Sequence, residues 1–266
     1  MASRIPLVAG NWKMNFDHLE ATYFVQKLAW LLRDAHFDYS RCEVTLMPPF
    51  TDLRSVQVLV EADRLRITYG AQTVSETSQG AFTGDVSADM LARLGCTYVI
   101  IGHSERRKYH PEDDAELIDK VRAVLAEGMR PVLCVGESFE ERRKGIELEY
   151  AVGQVHDITR DLSDEEASRM LIAYEPVWAI GTGMVDMPQS AQDAAKAIRG
   201  QFRDVYGDAV AQTVRILYGG SVNARNATSL FAGPDVDGFL VGGASLDADE
   251  FASVCRQALK AAERRR

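Results

Sequence analysis

The feature that most constrains the fold of this chain is the regular alternation of short apolar runs with longer amphipathic stretches. Eight runs of four to six residues recur at 5–10, 43–47, 66–71, 97–102, 130–135, 170–175, 214–218 and 238–241. Near-continuous apolarity is typical of strands that are covered on both faces, as in a parallel sheet. The pattern therefore predicts a parallel α/β fold with eight strands.

The stretches between the apolar runs have helical spacing. Helices are predicted over residues 19–32, 114–125, 191–205 and 249–262, and Gly128 follows the second of them as a stop signal. Eight βα units can close into a (β/α)8 barrel, which typically needs about 250 residues, or they can form a doubly wound open sheet. The pattern alone leaves both open. No Pro- or Ser-rich linker divides residues 1–266, which predicts a single domain.

The charge balance limits the partners of the chain. It has 30 Lys and Arg against 39 Asp and Glu, a formal net charge of −9. An acidic chain has no general attraction for nucleic acid or an anionic membrane, so an anionic substrate must be bound by a local cluster. No stretch reads as a signal peptide or a membrane span, and we expect a cytoplasmic protein. The scattered cysteines are expected to be buried, reduced thiols: Cys42, Cys96, Cys134 and Cys255.

Polar residues and glycines follow five of the predicted strands. They are Asn11 and Lys13 after the first, His103 and Glu105 after the fourth, Glu175 at the end of the sixth, Ser221 after the seventh, and Gly242 and Gly243 after the eighth. Because the carboxyl ends of barrel strands meet at one rim, these residues are expected to lie together. Taken alone, each of these residues also has a purely structural interpretation: Lys13 could be solvated, His103 could be a hydrogen-bonded structural residue, and the glycines could simply form turns. A carboxylate leaving a buried strand is costly, however, unless it is paired or used.

Together these residues predict an active site with a base, an imidazole, a cation and a phosphate cradle of backbone N–H groups. No Gly-x-Gly-x-x-Gly opens the first βα unit, and no His-x-x-x-His or His/Cys cluster is present. We therefore expect no dinucleotide, no metal and no other cofactor. Two alternatives remain: a different phosphate-binding barrel enzyme, and a non-catalytic barrel kept for binding.

Five segments carry a specific family resemblance. They read AGNWKMN at 9–15, GAFTG at 80–84, IGHSERR at 101–107, AYEPVWAIGTG at 173–183 and YGGSVN at 218–223. In this order, and in register along nearly the whole chain, they resemble the signature segments of the triosephosphate isomerases. The resemblance implies a single-domain TIM barrel that interconverts D-glyceraldehyde 3-phosphate and dihydroxyacetone phosphate, in glycolysis and gluconeogenesis.

The resemblance also implies roles for individual residues. Glu175 would be the base that removes the carbon-bound proton, and His103 a neutral imidazole at a helix N-terminus that shuttles protons between oxygens. Lys13 would offset the negative charge of the enediolate, Asn11 would hydrogen-bond the substrate, and Glu105 would be a buried carboxylate that positions Lys13. The phosphate would lie near backbone groups of Gly181, Ser221, Gly242 and Gly243.

Two further segments are interpreted through the resemblance. The loop from Gln72 to Asp85 is expected to form a homodimer by packing beside the partner's Lys13, and residues 176–188 are expected to be a mobile lid. The sequence departs from the family pattern at Thr73, at Asp85 and at residues 184–186, which read Met-Val-Asp. The last departure alters the expected hinge of the lid and leaves the predicted reaction type unchanged.

Overall fold

Eight parallel strands form a closed barrel in the computed structural model, which describes residues 4–180 and 187–265. The strands are β1 Leu7–Asn11, β2 Glu43–Met47, β3 Thr68–Ala71, β4 Tyr98–Ile101, β5 Arg130–Val135, β6 Leu171–Tyr174, β7 Arg215–Tyr218 and β8 Gly238–Val241. They pair in chain order, and β8 pairs with β1 with Leu7 opposite Gly238. The predicted (β/α)8 TIM barrel is therefore confirmed, and the open-sheet alternative is wrong.

Helices surround the barrel. Within the described residues they are α1 His18–Asp34, α2 Phe50–Ala62, α3 Ala88–Arg93, α4 Ser104–Tyr109, α5 Asp114–Ala126, α6 Phe139–Lys144, α7 Glu147–Thr159, α8 Asp164–Ser168, α9 Pro188–Ala211, α10 Ala227–Leu230 and α11 Ala248–Arg264. Each of the four predicted helices lies within one of these. The last residues of α9 follow a break at Gly207, where φ is 82° and ψ is 172°, shortly after the predicted end at residue 205. Asp17 explains where α1 begins, since its carboxylate accepts the N–H groups of Leu19 and Glu20 in a capping box.

The apolar residues of the strands form two separate layers of core. Side chains that point into the barrel make a compact inner cluster: Leu7, Ala9, Met47, Tyr98, Ile100, Val132, Cys134, Leu171, Ala173, Leu217 and Leu240. The alternate residues point outward and pack against the helices in a larger cluster. Burial on both faces explains why the strands read as continuous apolar runs rather than as alternating patterns.

The four cysteines are buried and unpaired, as the sequence predicts. No helix in the described parts of the chain is long and apolar enough to cross a membrane. Five of the eight strands differ from their predicted bounds by one or two residues at an end. The difference that bears on the site is in β6, which ends at Tyr174, so Glu175 lies one residue beyond it. The backbone N–H of Glu175 still donates to the carbonyl oxygen of Val135 at 2.7 Å. The carboxylate is therefore held at the rim by the neighbouring strand.

Candidate active site

A pocket of about 350 Å³ opens at the carboxyl ends of the strands. Among the residues that line it are Asn11, Lys13, His103, Glu175, Gly219, Gly220, Ser221, Gly242 and Gly243. These residues come from the ends of β1, β4, β6, β7 and β8, far apart in sequence. Barrel closure therefore brings the predicted rim residues into one site, with the exception of Glu105 among the residues that the structure describes.

The centre of the pocket is a contact between Glu175 and His103. Glu175 is 2% exposed, and its Oε1 lies 3.0 Å from Nε2 of His103. The other carboxylate oxygen, Oε2, accepts the backbone N–H of Ser104 at 3.0 Å. Burial raises the pKa of Glu175, but the His103 ring and the Ser104 N–H outweigh burial, so the pKa lies below its ordinary value. Glu175 is therefore held as a carboxylate.

His103 has two different neighbours on its two ring nitrogens. Burial lowers the pKa of His103, but the Glu175 carboxylate outweighs burial and raises it above its ordinary value. The other nitrogen, Nδ1, accepts the backbone N–H of Glu105 at 3.2 Å at the start of α4. A protonated Nδ1 could not accept that bond, so in the neutral ring the proton lies on Nε2. The hydrogen-bond geometry therefore favours a neutral His103 ring that donates to Glu175. The Glu175 carboxylate has the opposite effect, because it raises the pKa of His103 and so favours the protonated ring.

Lys13 is held from three sides. Its backbone has a positive φ of 55° and its N–H donates to Oδ1 of Asn11 at 3.0 Å. Nζ lies 2.5 Å from Oε1 of Glu105, and the side-chain amide of Gln72 donates to the carbonyl oxygen of Lys13 at 2.8 Å. A left-handed backbone conformation is unfavourable for lysine, so these contacts over-determine its position.

Glu105 differs from its expected environment. It lies beside Lys13 but lines a neighbouring depression with Met14 and Thr73 rather than the main pocket. Its side chain is 42% exposed in the single chain, so the expectation of a buried carboxylate is wrong for the chain alone. The sequence motif indicates that Glu105 lies beside Lys13. It does not indicate what would cover the solvent-facing side of Glu105.

The glycines of the rim provide space. A Cβ atom at Gly219 would lie 2.9 Å from Cγ of Glu175, and one at Gly242 would lie 3.4 Å from Cε of Lys13. Glycine therefore lets both charged side chains occupy the pocket.

The other residues predicted to bind phosphate lie in the turns after β7 and β8. Gly243 begins a short 3-10 helix, and the carbonyl oxygen of Ser221 accepts a hydrogen bond from the side-chain amide of Asn226. Gly181, and residues 181–186 of the expected lid, lie outside the described residues.

Sequence reasoning placed Ser104 and Gly219 at the rim and Gln72 in the dimer loop, but it missed three contacts that these residues make in the site. Two of them act at a distance in sequence, 71 residues for the Ser104–Glu175 bond and 59 residues for the Gln72–Lys13 bond. A backbone N–H has no sequence signal, and a glutamine in a loop is usually solvated.

Beside the pocket, a buried carboxylate holds the segment that follows Glu175. Glu137 accepts the hydroxyl of Tyr174 at 2.9 Å, the indole N–H of Trp178 at 2.8 Å and the guanidinium of Arg142 at 3.2 Å. Burial raises the pKa of Glu137, although these three donors oppose the rise. The first residues of the expected lid are thus fastened to the barrel by hydrogen bonds that the sequence did not predict.

The fold and the pocket define the class of protein: a (β/α)8 barrel with acid, base and cationic groups gathered at the carboxyl ends of its strands. Across residues 4–180 and 187–265, no group of three or more His, Cys, Asp or Glu side chains is placed to hold a metal ion. The pocket instead combines one carboxylate, one imidazole and one ammonium group with glycine turns. That set suits proton transfer on an anionic substrate.

Comparison with known proteins identifies the family. The triosephosphate isomerase family model matches residues 6–258. A triosephosphate isomerase of Bifidobacterium longum is 72% identical over 266 residues and is matched over the full length of both chains. Those of Bifidobacterium adolescentis and Streptomyces avermitilis are 73% and 53% identical, with 97% and 96% of this chain covered and 97% and 98% of theirs. The chain belongs to the triosephosphate isomerase family.

Proposed function

We propose that this chain interconverts D-glyceraldehyde 3-phosphate and dihydroxyacetone phosphate as a triose-phosphate isomerase. The observation that carries the proposal is the 3.0 Å contact between the Glu175 carboxylate and His103 Nε2 in a pocket that also contains Lys13. The two substrates differ by the movement of one proton between adjacent carbons and one between adjacent oxygens. The pocket has one group suited to each movement.

In the proposed reaction, Glu175 removes a proton from the carbon next to the carbonyl and returns it to the neighbouring carbon. His103 donates its Nε2 proton to the carbonyl oxygen and recovers a proton from the neighbouring hydroxyl, so the ring ends unchanged. When the substrate oxygen replaces Glu175 as the acceptor of Nε2–H, the carboxylate loses a stabilising partner. Its pKa then rises, and it becomes a stronger base at the moment of transfer.

Lys13 supplies the positive charge of the proposed site. The enediolate and the phosphate are both anionic, and the net charge of −9 gives them no general attraction. Asn11 is 5% exposed and lines the pocket, and its side chain is proposed to hydrogen-bond the substrate. Backbone N–H groups near Ser221, Gly242 and Gly243, together with Gly181, are proposed to hold the phosphate. The lid proposed over residues 176–188 would exclude water while the enediolate exists.

We also propose a homodimer that forms through residues 72–85. In the single chain Met14 is 95% exposed and Phe82 49% exposed, which is unusual for large apolar side chains beside a catalytic lysine. The depression beside Lys13, bounded by Gln72, Thr73 and Glu105, is open. A partner loop placed there would cover Glu105 and complete its burial.

The remaining parts of the proposal concern context. Residues 1–266 are proposed to form one domain that works in the cytoplasm without a cofactor, since the proton transfers above need only side chains of this chain. The activity places the protein in glycolysis and gluconeogenesis. Nucleic acid and membranes are not expected as partners, because the acidic chain repels their phosphates.

A coupled assay of triose-phosphate isomerisation tests the proposed function. We expect activity with either triose phosphate and a loss of about 10²-fold to 10⁴-fold in kcat for Glu175→Gln. Glu149→Gln, an exposed glutamate on α7, is the matched control and should keep full activity. Absence of isomerisation by the wild-type chain, or full activity of Glu175→Gln, would contradict the proposal and favour the alternative barrel functions.

A further inference from the structure

A second groove, larger than the catalytic pocket, lies at the opposite end of the barrel. It has a volume of about 650 Å³ and is formed where α1 and α2 end and the chain turns towards β2 and β3. These connections enter the amino ends of the strands, whereas the catalytic pocket lies at their carboxyl ends. No residue of the groove contributes to the site described above.

The lining of this groove combines guanidinium groups with exposed aromatic surface. Three arginines, Arg33, Arg64 and Arg66, line it, with Asp63 as the one carboxylate in the set. None of the three arginines forms an ion pair within 4.0 Å in the described parts of the chain. Arg66 does lie near Asp38, whose pKa is lowered by hydrogen bonds from Ser40 and by the charges of Arg41 and Arg66. Trp30 also lines the groove and is 54% exposed. A chain with a net charge of −9 thus carries a local excess of positive charge around an accessible indole.

The backbone at two lining residues is strained in the same way. His36 and Arg64 each have a φ of 51°, and each occupies the left-handed position just after its helix. Paired backbone hydrogen bonds close both helix ends, with Phe37 N–H donating to Leu32 and Leu65 N–H donating to Val60. Glycine is the favoured residue at this position, because a Cβ atom makes the conformation unfavourable.

Other helices of the same chain use glycine at this position. Gly95, Gly128 and Gly145 follow α3, α5 and α6 with φ values of 78°, 79° and 72°. Attraction of a cation to the helix C-terminus does not explain the difference, because α3 and α6 carry Arg93 and Lys144 in their last turns and still end at glycine. The two helix ends that border the groove therefore keep basic side chains where strain disfavours them. Within the described residues, a positive φ at a non-glycine residue occurs at Lys13 in the catalytic pocket, at Phe16, and at His36 and Arg64 in the groove. Strain of this kind is found at functional positions but is not confined to them.

We propose that this groove binds a nucleoside polyphosphate. Arginine guanidinium groups match phosphate oxygens in charge and in forked geometry, so Arg33, Arg64 and Arg66 would contact the polyphosphate. A planar base would stack on the exposed face of Trp30, as bases do on aromatic side chains. The volume of the groove is in the range of small-molecule sites. The site is independent of the isomerase chemistry.

Isothermal titration of the full chain with ATP tests this proposal, with saturating dihydroxyacetone phosphate present to occupy the catalytic pocket. Inorganic triphosphate and adenosine are the comparison ligands. We expect ATP to bind more tightly than triphosphate and adenosine to bind weakest, with affinity that falls as salt is added. Trp30→Ala should weaken ATP binding and leave triphosphate binding unchanged. No binding of ATP, or equal binding of ATP and triphosphate by wild type, would overturn the proposal.

Glycine variants separate binding from structure. Arg64→Gly removes both the guanidinium and the strain, so ATP affinity should fall by about tenfold or more while the melting temperature stays the same or rises. Arg41→Gln is the matched control: Arg41 precedes β2 at the same end of the barrel, pairs with Glu263 and does not line the groove. It should bind ATP as wild type does. Unchanged ATP affinity in Arg64→Gly, or a lower melting temperature, would contradict the proposal.

Discussion

His103 donates towards Glu175 through Nε2 while its Nδ1 accepts the N–H of Glu105, so one imidazole connects the carboxylate to the start of α4. The carboxylate in turn accepts the N–H of Ser104. The two side chains that are proposed to move protons therefore share one helix N-terminus. Each shifts the pKa of the other, since the His103 ring lowers the pKa of Glu175 and the Glu175 carboxylate raises the pKa of His103. This reciprocal effect leads to the first two predictions.

The first prediction concerns the pKa of His103. Because the Glu175 carboxylate raises this pKa, Glu175→Gln should lower it. Titration of the His103 ring by NMR in wild type and variant measures the change. The variant Glu149→Gln, far from the ring, should leave the His103 titration as it is. A rise in the His103 pKa in Glu175→Gln would show that the carboxylate is not the dominant neighbour.

The second prediction concerns the pH dependence of activity. The pKa of Glu175 lies below its ordinary value, so Glu175 stays ionised to a lower pH than an ordinary glutamate. The acid limb of kcat/KM should accordingly fall below the ordinary glutamate pKa. The stability of the fold should change with pH in the same direction as activity. Ionised Glu175 contributes to the free energy of unfolding at neutral pH, and this contribution is lost as pH falls through the pKa of Glu175 in the folded state. Circular dichroism over the same pH range separates loss of activity from unfolding, and an acid limb above the ordinary glutamate pKa would be inconsistent with this environment.

The third prediction uses the close approach of Gly219 to the proposed base. Gly219→Ala would place Cβ about 2.9 Å from Cγ of Glu175 and displace the carboxylate. A misplacement of this size can lower kcat by about 10²-fold while the barrel still folds. Gly200→Ala is the control, because a Cβ at Gly200 on α9 has no neighbour within 4 Å. We expect it to be fully active and as stable or more stable. Equal kcat for the two variants would show that the base has more freedom than this geometry allows.

The fourth prediction concerns charge. Lys13→Met should raise KM and lower kcat, because the acidic chain provides no replacement for the lost ammonium group. Lys108→Met, on an exposed position of α4 outside the pocket, is the matched control and should behave as wild type. Steady-state kinetics on both variants test this. Unchanged kcat and KM in Lys13→Met would remove Lys13 from the proposed mechanism.

The fifth prediction concerns the oligomeric state. Sedimentation should show a dimer at micromolar concentration, and Phe82→Glu should dissociate it because a charge would be buried in the apolar contact. Tyr23→Glu changes an equally accessible aromatic residue on α1, 66% exposed, and should stay dimeric. A fully active wild-type monomer at micromolar concentration would contradict the proposed interface.

The sequence by itself determined the strands, their order along the chain and the residue types at the strand ends. Strands that are buried on both faces must be apolar throughout, so the local amino-acid composition is enough to predict their positions. The motif residues around Asn11, His103 and Glu175 indicated the rim for the same reason, because a polar group directly after a buried strand is costly and stands out. Strand ends were less certain, and Glu175 proved to follow β6 rather than to end it.

Only the tertiary structure decided closure into a barrel and the contacts across it. Closure depends on whether β8 meets β1, a pairing of residues more than two hundred positions apart that no local pattern encodes. The same holds for the bond from Ser104 to Glu175 and for the support of Lys13 by Gln72. The strained His36 and Arg64 also became visible only in three dimensions, because backbone dihedral angles depend on the packing of each helix end. Local amino-acid composition determines where strands and helices form. Hydrogen bonds between segments far apart in sequence determine the positions and protonation states of the side chains on which the proposed proton transfers depend.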